Sequence, residues 1–180
     1  MLLIAIVVLV LLLVAAIAIT VHLVVSVFNS FTTALPVPTP YSTISDIVDA
    51  LSLPTTGVYV EPGCGDARVL AAVLRAQPGL RAVGVENNPL SLLKSWLAVR
   101  GCARLVSGDL MKMRFHSVDR VFTYLSPRLM SALETRFQDE LPKGARLVSL
   151  QFPLPHKQPA AEIILTGGRP HAKKLFVYDY

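Results

Sequence analysis

No lysine, arginine, aspartate or glutamate precedes Asp46 in this chain of 180 residues. Residues 1–28 are almost wholly Leu, Ile, Val and Ala, broken only by Thr20, His22 and Ser26. The run has no polar face, and a buried core helix is the least favoured reading. The length matches the span of about 20 apolar residues that a helix needs to cross a bilayer core. The lack of a basic leading region, with an apolar run longer than usual, argues against a cleaved signal peptide. Residues 1–28 are therefore expected to form a single transmembrane anchor. Basic residues near its ends would set its orientation, but the nearest is Arg68.

Cysteine is nearly absent. Cys64 and Cys102 provide neither a disulfide framework nor metal-ligand spacing, so no metal site is expected. Free thiols fit a reducing compartment. Cys64, between two glycines, reads as the small filler of a turn, because a catalytic thiol would need a matched histidine nearby. Consecutive basic blocks are missing as well. The formal charge of +5 is spread through the chain, which suits mild attraction to an anionic membrane face and gives no reason to expect a nucleic-acid partner. Residues 29–40 carry serine, threonine and the prolines of Pro36-Val37-Pro38-Thr39-Pro40. They read as an extended linker.

Strands and helices alternate from residue 41 onward. Ile44, Ile47, Val48 and Leu51 repeat at helical spacing, with Ser42 or Thr43 as cap and Pro54 as terminator. A strand over 58–61 precedes a helix over 67–76, and a strand over 82–86 precedes a helix over 90–100 that opens after Pro89. Trp96 lies on the apolar stripe of that helix and is expected in the core. Short strands follow at 104–106 and 117–124, then a helix over 127–141 and a strand over 145–151. This order predicts an α/β fold with a doubly wound parallel sheet. The ending departs from it: 162–166 and 174–178 flank Gly167-Gly168-Arg169-Pro170 and read as an antiparallel hairpin.

The chemistry concentrates in Glu61-Pro62-Gly63-Cys64-Gly65-Asp66-Ala67-Arg68, where the first strand turns into its helix. Glycines there allow φ > 0 and bring a ligand against bare backbone. A dinucleotide fingerprint would need a third glycine where Arg68 stands, so that reading fails. Glu86 ends the second strand about 20 residues after the turn, the distance at which a carboxylate meets ribose hydroxyls. Asp109 ends the third strand on the same edge. Three acids on successive strand ends favour a functional reading over isolated surface carboxylates.

Residues 36–180 resemble the class I S-adenosylmethionine-dependent methyltransferases related to the ATP synthase c-subunit lysine N-methyltransferase, especially their bacterial relatives. The matching stations are Val37-Pro38-Thr39-Pro40, the 61–68 turn, Gly84-Val85-Glu86-Asn87-Asn88-Pro89, Gly108-Asp109-Leu110, Thr123-Tyr124-Leu125-Ser126-Pro127, Phe152-Pro153-Leu154-Pro155-His156 and Val177-Tyr178-Asp179. The resemblance implies a Rossmann-like seven-stranded sheet with the C-terminal hairpin, S-adenosylmethionine as cofactor, and methyl transfer to a protein lysine. It assigns Glu61, Gly63, Gly65 and Asp66 to the methionine-side loop and counts Cys64 between them among the cofactor-binding residues. It gives Glu86 the ribose, counts the adjacent Asn87 among the cofactor-binding residues, and places Asp109 and Leu110 beside the adenine. Tyr124, Leu125, Ser126 and Pro127 would face the acceptor amine, with Tyr124, Ser126 and Pro127 the catalytic candidates. His156 is a candidate wall or relay for the acceptor, against the plainer reading of a loop residue.

The family usually has Asp-Leu where this chain has Glu61-Pro62, and glycine where it has Ala67. Pro62 removes a backbone N–H, and Ala67 resists φ > 0. The domains expected are an anchor at 1–28, a linker at 29–40 and a methyltransferase domain at 41–180. The domain is expected on the cytoplasmic face of a membrane, a bacterial inner membrane, with a membrane protein's lysine as acceptor. A small-molecule N- or O-methyltransferase and a membrane-tethered module without turnover are the alternatives.

Overall fold

The computed structural model describes residues 2–32, 37–167, 170 and 172–180. Two compact units emerge, Met1–Val37 and Pro38–Tyr180. The first is the helix α1 (Leu2–Thr32). Its stretch Ile6–Val24 is long and apolar enough to cross a membrane, and none of it is buried; a signal sequence satisfies the same criterion. Thr20 donates its hydroxyl to the Ala16 carbonyl at 2.8 Å, which satisfies a polar group on an apolar helix without outside help. The helix continues to Thr32, into the residues expected to form a linker. Residues 33–36 of that linker lie outside the described residues.

The second unit is a sheet between two helical layers. A short 3-10 turn (Tyr41–Thr43) leads into α2 (Ile44–Leu51). Then come β1 (Gly57–Pro62), α3 (Arg68–Ala76), β2 (Leu80–Glu86), α4 (Pro89–Val99), β3 (Arg104–Ser107), β4 (Arg120–Thr123), α5 (Pro127–Glu140), β5 (Arg146–Leu150), β6 (Ala161–Ile164) and β7 (Lys174–Asp179). The seven strands run in the order β3-β2-β1-β4-β5-β7-β6. Pairings from β3 to β5 are parallel, and β7 pairs antiparallel with both β5 and β6. The expected late hairpin is present; Gly168 and Arg169 of its connection lie outside the described residues. The strand order reverses between β1 and β4, the place where ligands bind at the carboxyl edge of such sheets.

Each face of the sheet has its own core. Ile47, Leu51, Val69, Leu70 and Val73 from α2 and α3 bury one side with Tyr59 and Phe122. Met130, Leu133 and Phe137 from α5 bury the other with Phe115, Val121 and Leu147. Arg120 and Arg146 reach from the sheet to the C-terminal end of α2. Arg120 donates to the Leu51 and Ser52 carbonyls at 2.8 and 3.0 Å, and Arg146 to Ser52 Oγ at 2.8 Å. Cations there satisfy orphan carbonyls and oppose the negative helix end.

Two further sequence expectations need correction. The fourth strand is shorter than 117–124, because Asp119 substitutes for the ladder. Its carboxylate accepts the Val58 N–H at 2.7 Å while its own N–H meets the Val58 carbonyl at 2.9 Å. Trp96 is not a core residue. It is 62% exposed, and on α4 only Ser95 and Val99 are buried.

Gly84 sets how closely the β1–α3 turn can lie on β2. A Cβ there would come within 2.8 Å of Cys64 Sγ, 2.9 Å of Leu70 Cδ1 and 3.1 Å of Leu105 Cδ2. Overpacking at such a site costs about 1–3 kcal/mol. Gly84→Ala is therefore expected to lower the urea midpoint without changing the slope, and an unchanged midpoint would show that the turn can retreat freely.

Candidate active site

Alternate residues of the β1–α3 turn are left-handed. Gly63, Gly65 and Ala67 have φ of 70°, 56° and 58°. The glycines adopt this at little cost, whereas alanine gives up roughly 1–2 kcal/mol. Ala67 is compensated by complete burial between α3 and the sheet. Its N–H bonds the Cys64 carbonyl at 2.8 Å, and its carbonyl takes the Ala71 N–H at 2.8 Å to start α3. Its conformation makes it the N-cap, so the helix begins at Arg68, one residue later than expected. Pro62 is tolerated for a simple reason: the β1–β4 ladder ends at Val60 with Val121, so no donor bond is lost on that side.

The turn is fastened to β2 at three points. Gly63 and Cys64 both donate to the Val85 carbonyl, at 2.8 and 3.0 Å. Glu86 Oε2 accepts the Gly65 N–H at 2.9 Å. Its other oxygen accepts from Asn87 and Asn88 at 2.9 and 2.8 Å. A carboxylate has about four lone-pair sites. One therefore remains for a ribose hydroxyl, or two if the hydroxyl displaces Gly65. The space a side chain would take at Gly65 is open. Bare backbone beside a carboxylate fits the ribose and methionine parts of S-adenosylmethionine.

Glu61 lies inside the fold. It is 5% exposed and accepts the Tyr59 hydroxyl at 3.0 Å. Burial pushes its pKa from 4.5 to about 8; the negative charge of Asp66 acts the same way, against bonds from Tyr59 and the Leu70 backbone. Cys64 is buried and its thiol pKa is pushed far up by burial and by Glu61 and Glu86, which suits a filler and not a nucleophile. Asp66 is engaged by Arg68, whose Nε meets Oδ1 at 2.9 Å and whose Nη2 also bonds Oδ2. That pairing holds the Asp66 pKa below its ordinary value.

The remaining candidates line the same carboxyl edge. Asp109 is exposed and caps the short turn Leu110–Lys112 by accepting the Met111 N–H at 2.9 Å. Leu110 and Leu125 converge on Gly63: a Cβ there would lie 4.0 Å from Leu110 Cδ2 and 2.9 Å from Leu125 Cδ2. Tyr124 follows β4, half-buried, with its pKa raised by burial. Its ring lies nearly parallel to Phe152, centroids 6.4 Å apart at 18°. Ser126 is the N-cap of α5 through its backbone, and Pro127 begins the helix where a missing N–H costs nothing.

Two clasps were not foreseen in the sequence. Arg68 donates to the Thr39 carbonyl at 2.8 Å and lies 4.3 Å above the Tyr41 ring, tying the lead-in segment to the turn. Glu134, buried on α5, accepts the backbone N–H groups of His156 and Lys157 at 2.8 Å each and meets His156 Nδ1 at 2.7 Å. Burial alone would raise the Glu134 pKa, but these bonds outweigh it and hold it low. The His156 ring is largely exposed, so the residue fastens the 152–157 loop to α5. The only sequence signal for this was a glutamate on an otherwise buried helix face.

A seven-stranded sheet of this order, with a left-handed glycine turn against an acid on the next strand, defines a Rossmann-like methyltransferase domain. The chain belongs to the ANTKMT methyltransferase domain family, whose model matches residues 61–161. It is 41% identical over 115 residues to the adenine nucleotide translocase lysine N-methyltransferase of Mus musculus, covering 59% of this chain and 48% of that protein. The ATP synthase c-subunit lysine N-methyltransferase of Homo sapiens is 34% identical over 128 residues, 68% and 54% of the two chains. A protein-lysine N-methyltransferase of Saccharolobus islandicus is 24% identical over 147 residues, 78% and 91%. The chain thus spans about half the length of the first two relatives. In fold, an RNA methyltransferase of Salinibacter ruber, solved with S-adenosyl-L-homocysteine, superposes with a TM-score of 0.72 at 23% identity, over 79% of this chain and 93% of that one.

The raised pKa of Glu61 has a definite sign for stability. Between 4.5 and about 8 the unfolded chain ionises this carboxyl while the folded chain keeps it protonated. Stability is then lost progressively as pH rises through that window. Glu61→Gln removes the loss, so the variant's melting temperature should gain on the parent's between pH 5 and pH 8.5. A constant difference across those pH values would place the Glu61 pKa near its ordinary value.

Proposed function

We propose that this chain is an S-adenosylmethionine-dependent protein-lysine N-methyltransferase, held at a membrane by α1 and acting on a lysine of a membrane protein. The observation that carries the reading is the turn at residues 63–67, left-handed at alternate positions and tied to Glu86, within a match to a methyltransferase family. Ala67 keeps the conformation that glycine would supply, which favours a working site over a degenerate copy. The named relatives act on lysines, two of them on lysines of the adenine nucleotide translocase and of the ATP synthase c-subunit.

Bound at this edge, the cofactor supplies a methyl group activated by its sulfonium. The protein's task is alignment, which is worth up to about 7–11 kcal/mol when reacting atoms are well placed. In this reading Glu86 orients the ribose and the open backbone at Gly65 receives the methionine side. Tyr124 and Phe152 wall the acceptor position. Lysine attacks as a neutral amine although its free pKa is about 10.4, and a partly dry aromatic wall lowers that value. Tyr124, its own pKa raised by burial, stays protonated at neutral pH and serves as a hydrogen-bonding group that directs the amine. Ser126 and Pro127 fix the backbone that follows it. The domain faces the cytoplasm, where the cofactor is made, and the membrane is a bacterial inner membrane.

Calorimetric titration of the full chain in lipid nanodiscs with S-adenosylmethionine tests the cofactor assignment. Gly65→Val strains a left-handed backbone and Glu86→Ala orphans three N–H groups, so each should weaken binding at least about tenfold. Labelled methyl transfer to membrane-protein extracts, followed by amino-acid analysis, should yield methyllysine. Absence of binding by the parent chain would overturn the enzyme reading, and label in a small molecule would overturn the acceptor.

A further inference from the structure

The helix α4 carries apolar side chains that the domain leaves uncovered. Leu90, Leu93, Trp96 and Leu97 are 63%, 56%, 62% and 58% exposed. Their spacing places them on one arc of the helix, next to Pro89 and away from the buried Ser95 and Val99. Pro89, Leu92, Leu93, Trp96 and Leu105 line a shallow depression of about 370 Å³. Single exposed leucines are ordinary. A tryptophan and three leucines together on an 11-residue helix form a patch that marks an interaction site.

Charge indicates the partner. From Asn87 to Gly108 the charged residues are Lys94, Arg100 and Arg104, all exposed, and no acid occurs. Tryptophan and leucine beside lysine and arginine are what interfacial helices present to anionic lipid. The chain also brings its own apolar helix, Ile6–Val24. With that helix in a bilayer, the lipid surface becomes the partner at highest effective concentration for the domain that follows it.

We propose that the exposed face of α4 docks on an anionic lipid surface, seating Trp96 and its neighbouring leucines at the headgroup boundary. The consequence for chemistry comes from chain order. Asn88 caps α4 with its side chain, accepting from Leu90 and Ser91 at 3.0 Å each. It follows directly on Glu86 and Asn87. A docked α4 therefore sets the cofactor-binding edge beside the interface, where lysines of membrane proteins place their amines. This deepens the membrane part of the proposed function and rests on it.

Trp96 is the single tryptophan of the sequence, so its fluorescence reads this face alone. The full chain is reconstituted into vesicles containing phosphatidylglycerol, with and without bromine on the acyl chains. Docking predicts blue-shifted emission and a loss of intensity with brominated lipid. Both are reduced in purely phosphatidylcholine vesicles and abolished in the double variant Leu93→Ser, Leu97→Ser. Resistance of the same vesicles to alkaline extraction reports the anchor separately. Water-like, unquenched emission from a chain that resists extraction would overturn docking and leave the anchor standing. Quenched emission from an extractable chain would uphold docking and overturn the anchor. Blue-shifted but unquenched emission would mean that another protein surface, such as a second copy, covers the face, and would overturn the proposal. Equal quenching in both lipids would overturn its anionic requirement.

Discussion

The close approach of one turn to one strand organises this domain. Gly84 leaves room for Cys64, the Val85 carbonyl takes two N–H groups of the turn, and Glu86 takes a third. Each contact requires the others. Without the space at Gly84 the turn could not reach Val85, and without the left-handed residues its N–H groups would point elsewhere. The bond to Glu86 is charge-assisted and so stronger than a neutral one. It sets the carboxylate beside open backbone, which is what a sugar-bearing ligand needs.

Buried acids in the domain fall into two kinds. Glu134 is ionised because three donors converge on it, and it uses that charge to hold the loop that carries Phe152. Glu61 has a tyrosine hydroxyl and one backbone donor, too little to offset its desolvation, and remains a neutral acid near pH 7. A cation arriving at the turn would favour its ionised form and draw a proton off it. In the proposed reading the turn would thus answer positive charge at one end, with the stacked pair Tyr124 and Phe152 walling the acceptor at the other.

The architecture was legible because alternation of strand and helix is written in hydrophobic periodicity, and because Pro54 ends one helix and Pro89 opens another. Gly63 and Gly65 were readable as left-handed positions because glycine is the residue that adopts them cheaply. Ala67 was readable only as a conflict, and its burial and two backbone bonds resolve it. The Arg68 and Glu134 clasps join segments 29 and 22 residues apart. Nothing local announces such pairs, since an arginine or glutamate with a distant partner looks like any surface charge until the chain is folded.

The misreading of Trp96 follows from a limit of periodicity itself. An apolar stripe records that a helix face avoids water; it does not record what excludes the water. On α3 that face meets the sheet, with Val69, Leu70 and Val73 fully buried. On α4 the inner side is served by Ser95 and Val99, while the larger side chains turn outward. A helix that gives its small residues to the core and its tryptophan to solvent has apolar area in excess of what its own domain needs. Leaving such residues more than half exposed forgoes more than half of the roughly 1.5–3 kcal/mol that fully burying a leucine supplies, a cost that the domain alone does not recover. The arrangement becomes favourable when a surface outside the domain supplies the burial, and the basic residues around α4 give that surface its sign.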